Sequence, residues 1–246
     1  TMDRADVEWK QLGLSWRHDC GTMNSCKYVV STEILEFAVD GAGVDGLSGY
    51  TTYRLALTLG EHAVNVYSIF GNSESALQMP PAWQYSGARL LDANIGGSVD
   101  NDPALGAGVA YDSFLTVGAT SGNLYPADYA DVAKAGTARM ASVGLDGVDS
   151  WGADGLSLDD GMVYWRDPDD GAGATFADNM GESGDKIVVA QLTIETGLEF
   201  SATMNAQGMG QTMDRPDMEW RSLGLSWRRD CGTMNSCKYV VSTEIL

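Results

Sequence analysis

Histidine is scarce in this chain: there are two among 246 residues, His18 and His62. That leaves little material for a Ser-His-Asp triad or a histidine-ligated metal centre. The nucleophile elbow G-x-S-x-G and the phosphate-binding P-loop are also missing. No apolar run approaches the roughly 20 residues a helix needs to cross a bilayer. The glycosylation signal Asn-x-Ser/Thr does not occur; only its rare cysteine variant does, at Asn24-Ser25-Cys26 and Asn235-Ser236-Cys237. Basic charge is short as well, with 15 Lys and Arg against 34 Asp and Glu, a net of −19. Such a surface repels nucleic acid and anionic membranes, so neither is expected as a partner. Carboxylates are so abundant that no chosen pair points to hydrolysis. The chain is therefore not expected to be an enzyme.

What is present is a long repeat. Residues 212–246 copy residues 1–35 at an offset of 211. The two copies differ only at Ala5/Pro216, Val7/Met218, Lys10/Arg221, Gln11/Ser222 and His18/Arg229. Near-identity at a fixed offset marks a tandem array. The second copy breaks off at Leu246, where the first continues into Glu36 and Phe37. The expected reading is one full repeat plus the opening of the next, taken from a longer polymer. Charge divides along the same lines. Residues 36–211 hold 6 basic and 24 acidic groups, whereas the two copies are close to neutral. A near-neutral arm is not repelled by an acidic body, which suits a joining role.

Each arm carries the loop CGTMNSC, with Cys20 and Cys26 in the first and Cys231 and Cys237 in the second. Matched even counts imply two disulfides and an oxidising, extracellular setting. On the chain-entropy account, so small a loop stabilises by roughly 2–2.5 kcal/mol. Ahead of the loop, each arm sets apolar anchors at extended-chain spacing: Trp9, Leu12, Leu14 and Trp16, repeated as Trp220, Leu223, Leu225 and Trp227. Behind it comes a strand with Tyr28 and Val30, repeated as Tyr239 and Val241. These residues form the expected assembly interface. The arm of one repeat would add to a sheet edge of the preceding one, or exchange between chains as a donor strand.

Strand patterns dominate elsewhere. Residues 27–39 alternate, then switch parity, which predicts a β-bulge or a strand serving two sheets. Residues 53–59 and 64–70, joined around Gly60-Glu61, read as a hairpin, and so do 187–194 and 198–204. Tyr111, Ser113, Leu115 and Val117 alternate as another strand. One short helix is expected over 126–135, from Pro126 to Gly136 just beyond it. With 30 glycines in the chain, the expected fold is all-β: an antiparallel β-sandwich or jelly roll with long Gly/Asp-rich loops. Residues 144–185 read as a solvated acidic loop system around a short strand at 162–165. Its Asp146, Asp149, Asp167, Asp169 and Asp170 are the candidate calcium ligands, although no EF-hand spacing occurs. No cofactor is required by this reading, and calcium is the one the loops invite. Trp83, Tyr85, Trp151, Tyr164 and Trp165 are candidates for stacking on glycans.

The segments YTTYRLALTL, VNVYSIFGNSESALQM, YDSFLTVGATSG and VVAQLTIETGLEFSATMNAQG resemble repetitive extracellular β-domains of surface and filament proteins in microbes or algae. That resemblance spans about residues 50–210 and implies an extracellular structural or adhesive setting, with no catalytic motif. The expected organisation is a linking arm (1–35), an acidic body (36–211) and the start of the next repeat (212–246). The expected function is a structural unit of a filament or surface appendage, self-associating through its arms. The competing expectation is a calcium- or carbohydrate-binding adhesin module.

Overall fold

The computed structural model describes residues 28–44, 46–85, 94–97, 106–120, 140–146, 148, 151–173, 186–212, 215–231 and 237–240. The expected helix over 126–135 lies outside them. Within them the protein is all-β, with two antiparallel sheets facing each other. The strands are β1 (Val29–Ala38), β2 (Tyr50–Leu59), β3 (Ser68–Gly71), β4 (Leu77–Met79), β5 (Phe114–Leu115) and β6 (Met140–Val143), followed by β7 (Leu156–Leu158), β8 (Gly161–Trp165), β9 (Lys186–Glu195), β10 (Phe200–Thr212), β11 (Arg215–Cys231) and β12 (Cys237–Val240). One sheet runs β1-β2-β9-β5; the other runs β12-β11-β10-β3-β8-β6, with β4 paired to β10 and β7.

The core lies between the sheets. Tyr53, Leu55 and Leu57 of β2 and Ala190 and Leu192 of β9 face Ile69, Val163, Met204, Ala206 and Trp227 from the other sheet. The alternation of β2 dictates this, because every second residue of a strand points to the same side. The parity switch in 27–39 is realised as register irregularities in β1, between Val29/Ser31 and Glu36/Ala38.

Both expected hairpins are corrected. β2 pairs with β1 and β9, while β3 pairs with β8 and β10. Likewise β9 pairs with β2 and β5, and β10 belongs to the other sheet. In each case the intervening segment carries the chain across the sandwich, because both strands need a buried face and neither sheet alone covers them. The expected strand at 111–117 contracts to Phe114–Leu115, preceded by a 3-10 turn at Val109–Tyr111. The supposed acidic loop system is also corrected. The short strand expected at 162–165 is present as β8, but residues 156–158 add β7, and Trp151, Leu156, Leu158, Val163 and Trp165 are buried in the core.

The outer side of the first sheet carries a buried polar layer. Arg54 Nε donates to Gln191 Oε1 at 3.2 Å, and Thr52 and Thr193 share a hydrogen bond of 2.7 Å. Gln191 Nε2 donates to the carbonyls of Ala110 (3.0 Å) and Asp112 (2.8 Å). Ser113 Oγ donates to the Trp83 carbonyl at 2.7 Å and accepts from Thr193 N at 2.9 Å. Asp112 Oδ1 accepts from Tyr85 N at 2.7 Å and Ser113 N at 3.0 Å. These bonds lay the 110–113 segment over the sheet and satisfy polar groups that would otherwise be costly to bury.

Candidate functional site

The second arm is where sequence repetition and structure meet. Its residues 215–231 form β11, a strand of 17 residues that pairs with β10 from Phe200↔Arg229 to Thr212↔Arg215. Body-facing positions alternate with outward ones, so Trp220, Ser222, Leu225, Trp227 and Arg229 are all buried. The phase survives a break in the middle. Met204 pairs with Leu225, but Ala206 pairs with Ser222, so Leu223 and Gly224 together stand opposite the single residue Asn205, a bulge with one extra residue. Gly224 has φ +66°, the left-handed region that glycine enters without penalty. Its amide donates to Asn205 Oδ1 at 2.9 Å, while Asn205 Nδ2 donates to the Ser75 carbonyl at 2.7 Å. One fully buried asparagine thus reads the bulge and ties it to the body.

Two tryptophans anchor the strand. Trp220 is 2 % exposed, donates from Nε1 to the Met209 carbonyl at 2.9 Å, and stacks on Tyr28 with centroids 5.6 Å apart and planes within 6°. Tyr28 belongs to the first copy, so the two copies touch here. Space for the indole comes from Gly208: a Cβ there would sit 2.5 Å from Trp220 Cζ2 and 1.9 Å from the Asn65 carbonyl oxygen. Trp227 is 1 % exposed and reaches across the sandwich to donate to the Ala56 carbonyl at 3.1 Å. Thr32 Oγ1 of β1 donates to the Ser226 carbonyl at 2.7 Å, a second tie between the sheets.

Charge and polarity finish the seat. Arg229, 5 % exposed, donates from a terminal nitrogen to the Leu198 carbonyl at 2.7 Å, and its guanidinium lies 4.9 Å from the Tyr53 ring centroid. The guanidinium of Arg221 lies 4.8 Å from the ring of Phe70. Tyr67 OH donates to Glu219 Oε1 at 3.2 Å and accepts from Gln207 Nε2. Burial pushes the hydroxyls of Tyr53 and Tyr67 above their ordinary 10.0; Arg229 opposes the shift at Tyr53, and Glu219 adds to it at Tyr67.

The expected interface residues are therefore placed as follows. Trp220, Leu225 and Trp227 come together on the buried side of β11, and Leu223 is half-buried in its bulge. Tyr28 is buried against Trp220, and Val30 lies within β1. Tyr239 pairs with Arg229 in the β11–β12 ladder. Trp9, Leu12, Leu14, Trp16 and Val241 lie outside the described residues, as do Cys20 and Cys26. Cys231 and Cys237 stand opposite each other in the β11–β12 register. Directly opposed strand positions have Cα atoms about 4.5–5.5 Å apart, a span that disulfides bridge.

Other candidates fare differently. Among the described residues no three acidic, cysteine or histidine side chains gather to hold a metal ion. Asp146, Asp167, Asp169 and Asp170 are exposed, Asp149 is outside the described residues, and Asp167 Oδ1 accepts from Asp169 N to cap a 3-10 turn. Trp151 and Trp165, expected as glycan platforms, are corrected to core residues, with Nε1 donating to the carbonyls of Pro80 (3.0 Å) and Val117 (2.9 Å). Trp83 and Tyr85 are half-buried neighbours with centroids 6.3 Å apart, and Tyr164 is half-buried too. The spacing G-x-G-x-x-G does occur, at residues 41–46 after β1. The chain there makes a 3-10 turn at Asp40–Gly43 and then enters β2, so the helix that a dinucleotide site needs does not follow.

No protein-family model, curated protein or solved structure matches the chain.

The seat's features missed by sequence reading are Asn205, Gly208 and the polar layer behind β9. Two of them had a signal: a glycine and an asparagine inside an otherwise strong strand pattern mark a close approach or a bulge.

Proposed function

We propose that the chain is a structural repeat unit of an extracellular filament or surface appendage, in which the opening arm of each repeat completes the sandwich of the one before it. The observation that carries this reading is β11. A segment with a near-identical copy elsewhere in the chain sits as an inner strand of the second sheet, with Trp220 and Trp227 at 2 % and 1 % exposure. The same anchors recur as Trp9 and Trp16 at the other end, where they would be offered to the sandwich of a preceding repeat. A backbone ladder supplies affinity in such strand addition, and the alternate side chains supply register. The repeat period would then be the axial unit of the assembly, and the function mechanical, with no catalysis.

Electron imaging of the native material tests this. Regular filaments whose axial repeat accommodates one 211-residue unit are expected. Isolated monodisperse particles under native conditions would remove the reading.

A further inference from the structure

The two arms share their anchors and differ where the seat is most demanding. In the seated copy, the tryptophans, Leu225 and the bulge glycine match the first copy residue for residue. Four of the five differing positions are described in register with β10, and three of them, Arg221, Ser222 and Arg229, differ from the first copy in size or polarity at a contact with the body. Ser222 is 1 % exposed and its hydroxyl makes no hydrogen bond. The first copy has Gln11 there, which would bring a longer side chain and a full amide into a closed site. Arg229 binds the Leu198 carbonyl and covers the Tyr53 ring. The first copy has His18, shorter and without the forked donor. Arg221 stacks on Phe70, where the first copy has Lys10, a compact ammonium that lacks a planar face.

Resting on the proposed strand-addition reading, we infer that the seat discriminates between arms: it accepts an arm of the second-copy type and rejects one of the first-copy type. Shared anchors give every arm general affinity, and the three divergent positions give each seat its partner. The first arm is then matched to a different seat, one with room for a glutamine and a contact for histidine. Successive repeats would join in a fixed order, and an arm would be kept out of the wrong junction by an overfilled site and lost polar contacts, a specificity based on mismatch as much as on fit.

The test uses the full chain with a protease site introduced at residues 213–214, between β10 and β11. The nicked protein is denatured, its released arm is removed, and the remaining chain is refolded with equimolar oxidised peptides of sequence 1–35 and 212–246, the retained arm being read by native mass spectrometry. At least tenfold preference for the 212–246 peptide is expected. A 1–35 peptide carrying Lys10→Arg, Gln11→Ser and His18→Arg should regain most of that preference. Equal retention of the two unmodified peptides overturns the discrimination while leaving strand addition standing. Retention of neither overturns both.

Discussion

Three residues of the arm illustrate how a strand is fixed in place. Trp220 and Trp227 bury large apolar surfaces, and each spends its single N–H on a backbone carbonyl. Trp220→Ala or Trp227→Ala should each lower unfolding free energy by about 3–5 kcal/mol, measured by denaturant titration. Gly224 answers to backbone geometry instead. Gly224→Ala should cost about 1–2 kcal/mol, because a Cβ is disfavoured at its positive φ, although nothing stands within 4 Å of it. The two tyrosines give the seat a pH dependence. Tyr53 and Tyr67 hold their protons more tightly folded than unfolded. Their contribution to stability is complete below the unfolded value near 10.0 and is lost as pH rises through the higher folded values. Melting temperature should therefore fall in the alkaline range above pH 10, in step with tyrosinate absorbance; an alkaline-flat profile would contradict the assignment.

At the scale of elements, the polar layer behind β2 and β9 holds the 110–113 connection in place. Gln191 alone satisfies two carbonyls of the 110–113 segment and the Nε of Arg54. Gln191→Leu should cost about 1–3 kcal/mol and raise amide exchange at residues 113–115, seen by hydrogen-exchange mass spectrometry. The strands themselves were legible in the sequence, since alternation in 53–59 and the β-branched apolar run in 187–194 report burial directly. Their partners were not. Strands joined by a short turn, as at Gly60-Glu61, read as a hairpin, yet the pattern says only that a face is buried and not by which sheet. Trp151 was hidden by composition, since acidic and glycine-rich neighbours diluted a core segment until it read as loop, whereas Trp165 was read in a strand but taken as an exposed platform. The arm was legible in outline, because tryptophan and leucine at extended spacing need a groove. Asn205 and Gly208, which build that groove, act through backbone approach, which hydropathy does not register.

For the whole molecule, the second arm is as much a part of the sandwich as any strand of the body. Without residues 212–246, β10 would present its edge unpaired from Phe200 to Gln211, and Tyr28 would lose its stacking partner. A chain ending at residue 211 should be strongly destabilised and associate through that edge, whereas the intact chain should not. Size-exclusion chromatography with light scattering distinguishes the two. The body also meets two arginines of the arm, Arg221 over Phe70 and Arg229 over Tyr53, so the near-neutral net charge of the arm conceals cationic contacts.

Tyr28 and Val29 lead into β1, where Val29 pairs with Leu59 and the Tyr28 carbonyl accepts from Gly60 N. Their copies, Tyr239 and Val240, pair with Arg229 and Arg228 of β11. In a run of such units the same dipeptide would end one sandwich and begin the next, with no spare residues between them. A junction of that kind has no hinge. Bending would have to distort hydrogen-bonded sheet instead of rotating about a linker, so the chain should behave as a stiff rod whose persistence length spans many units. Small-angle scattering from a two-unit chain should give the profile of a single elongated body.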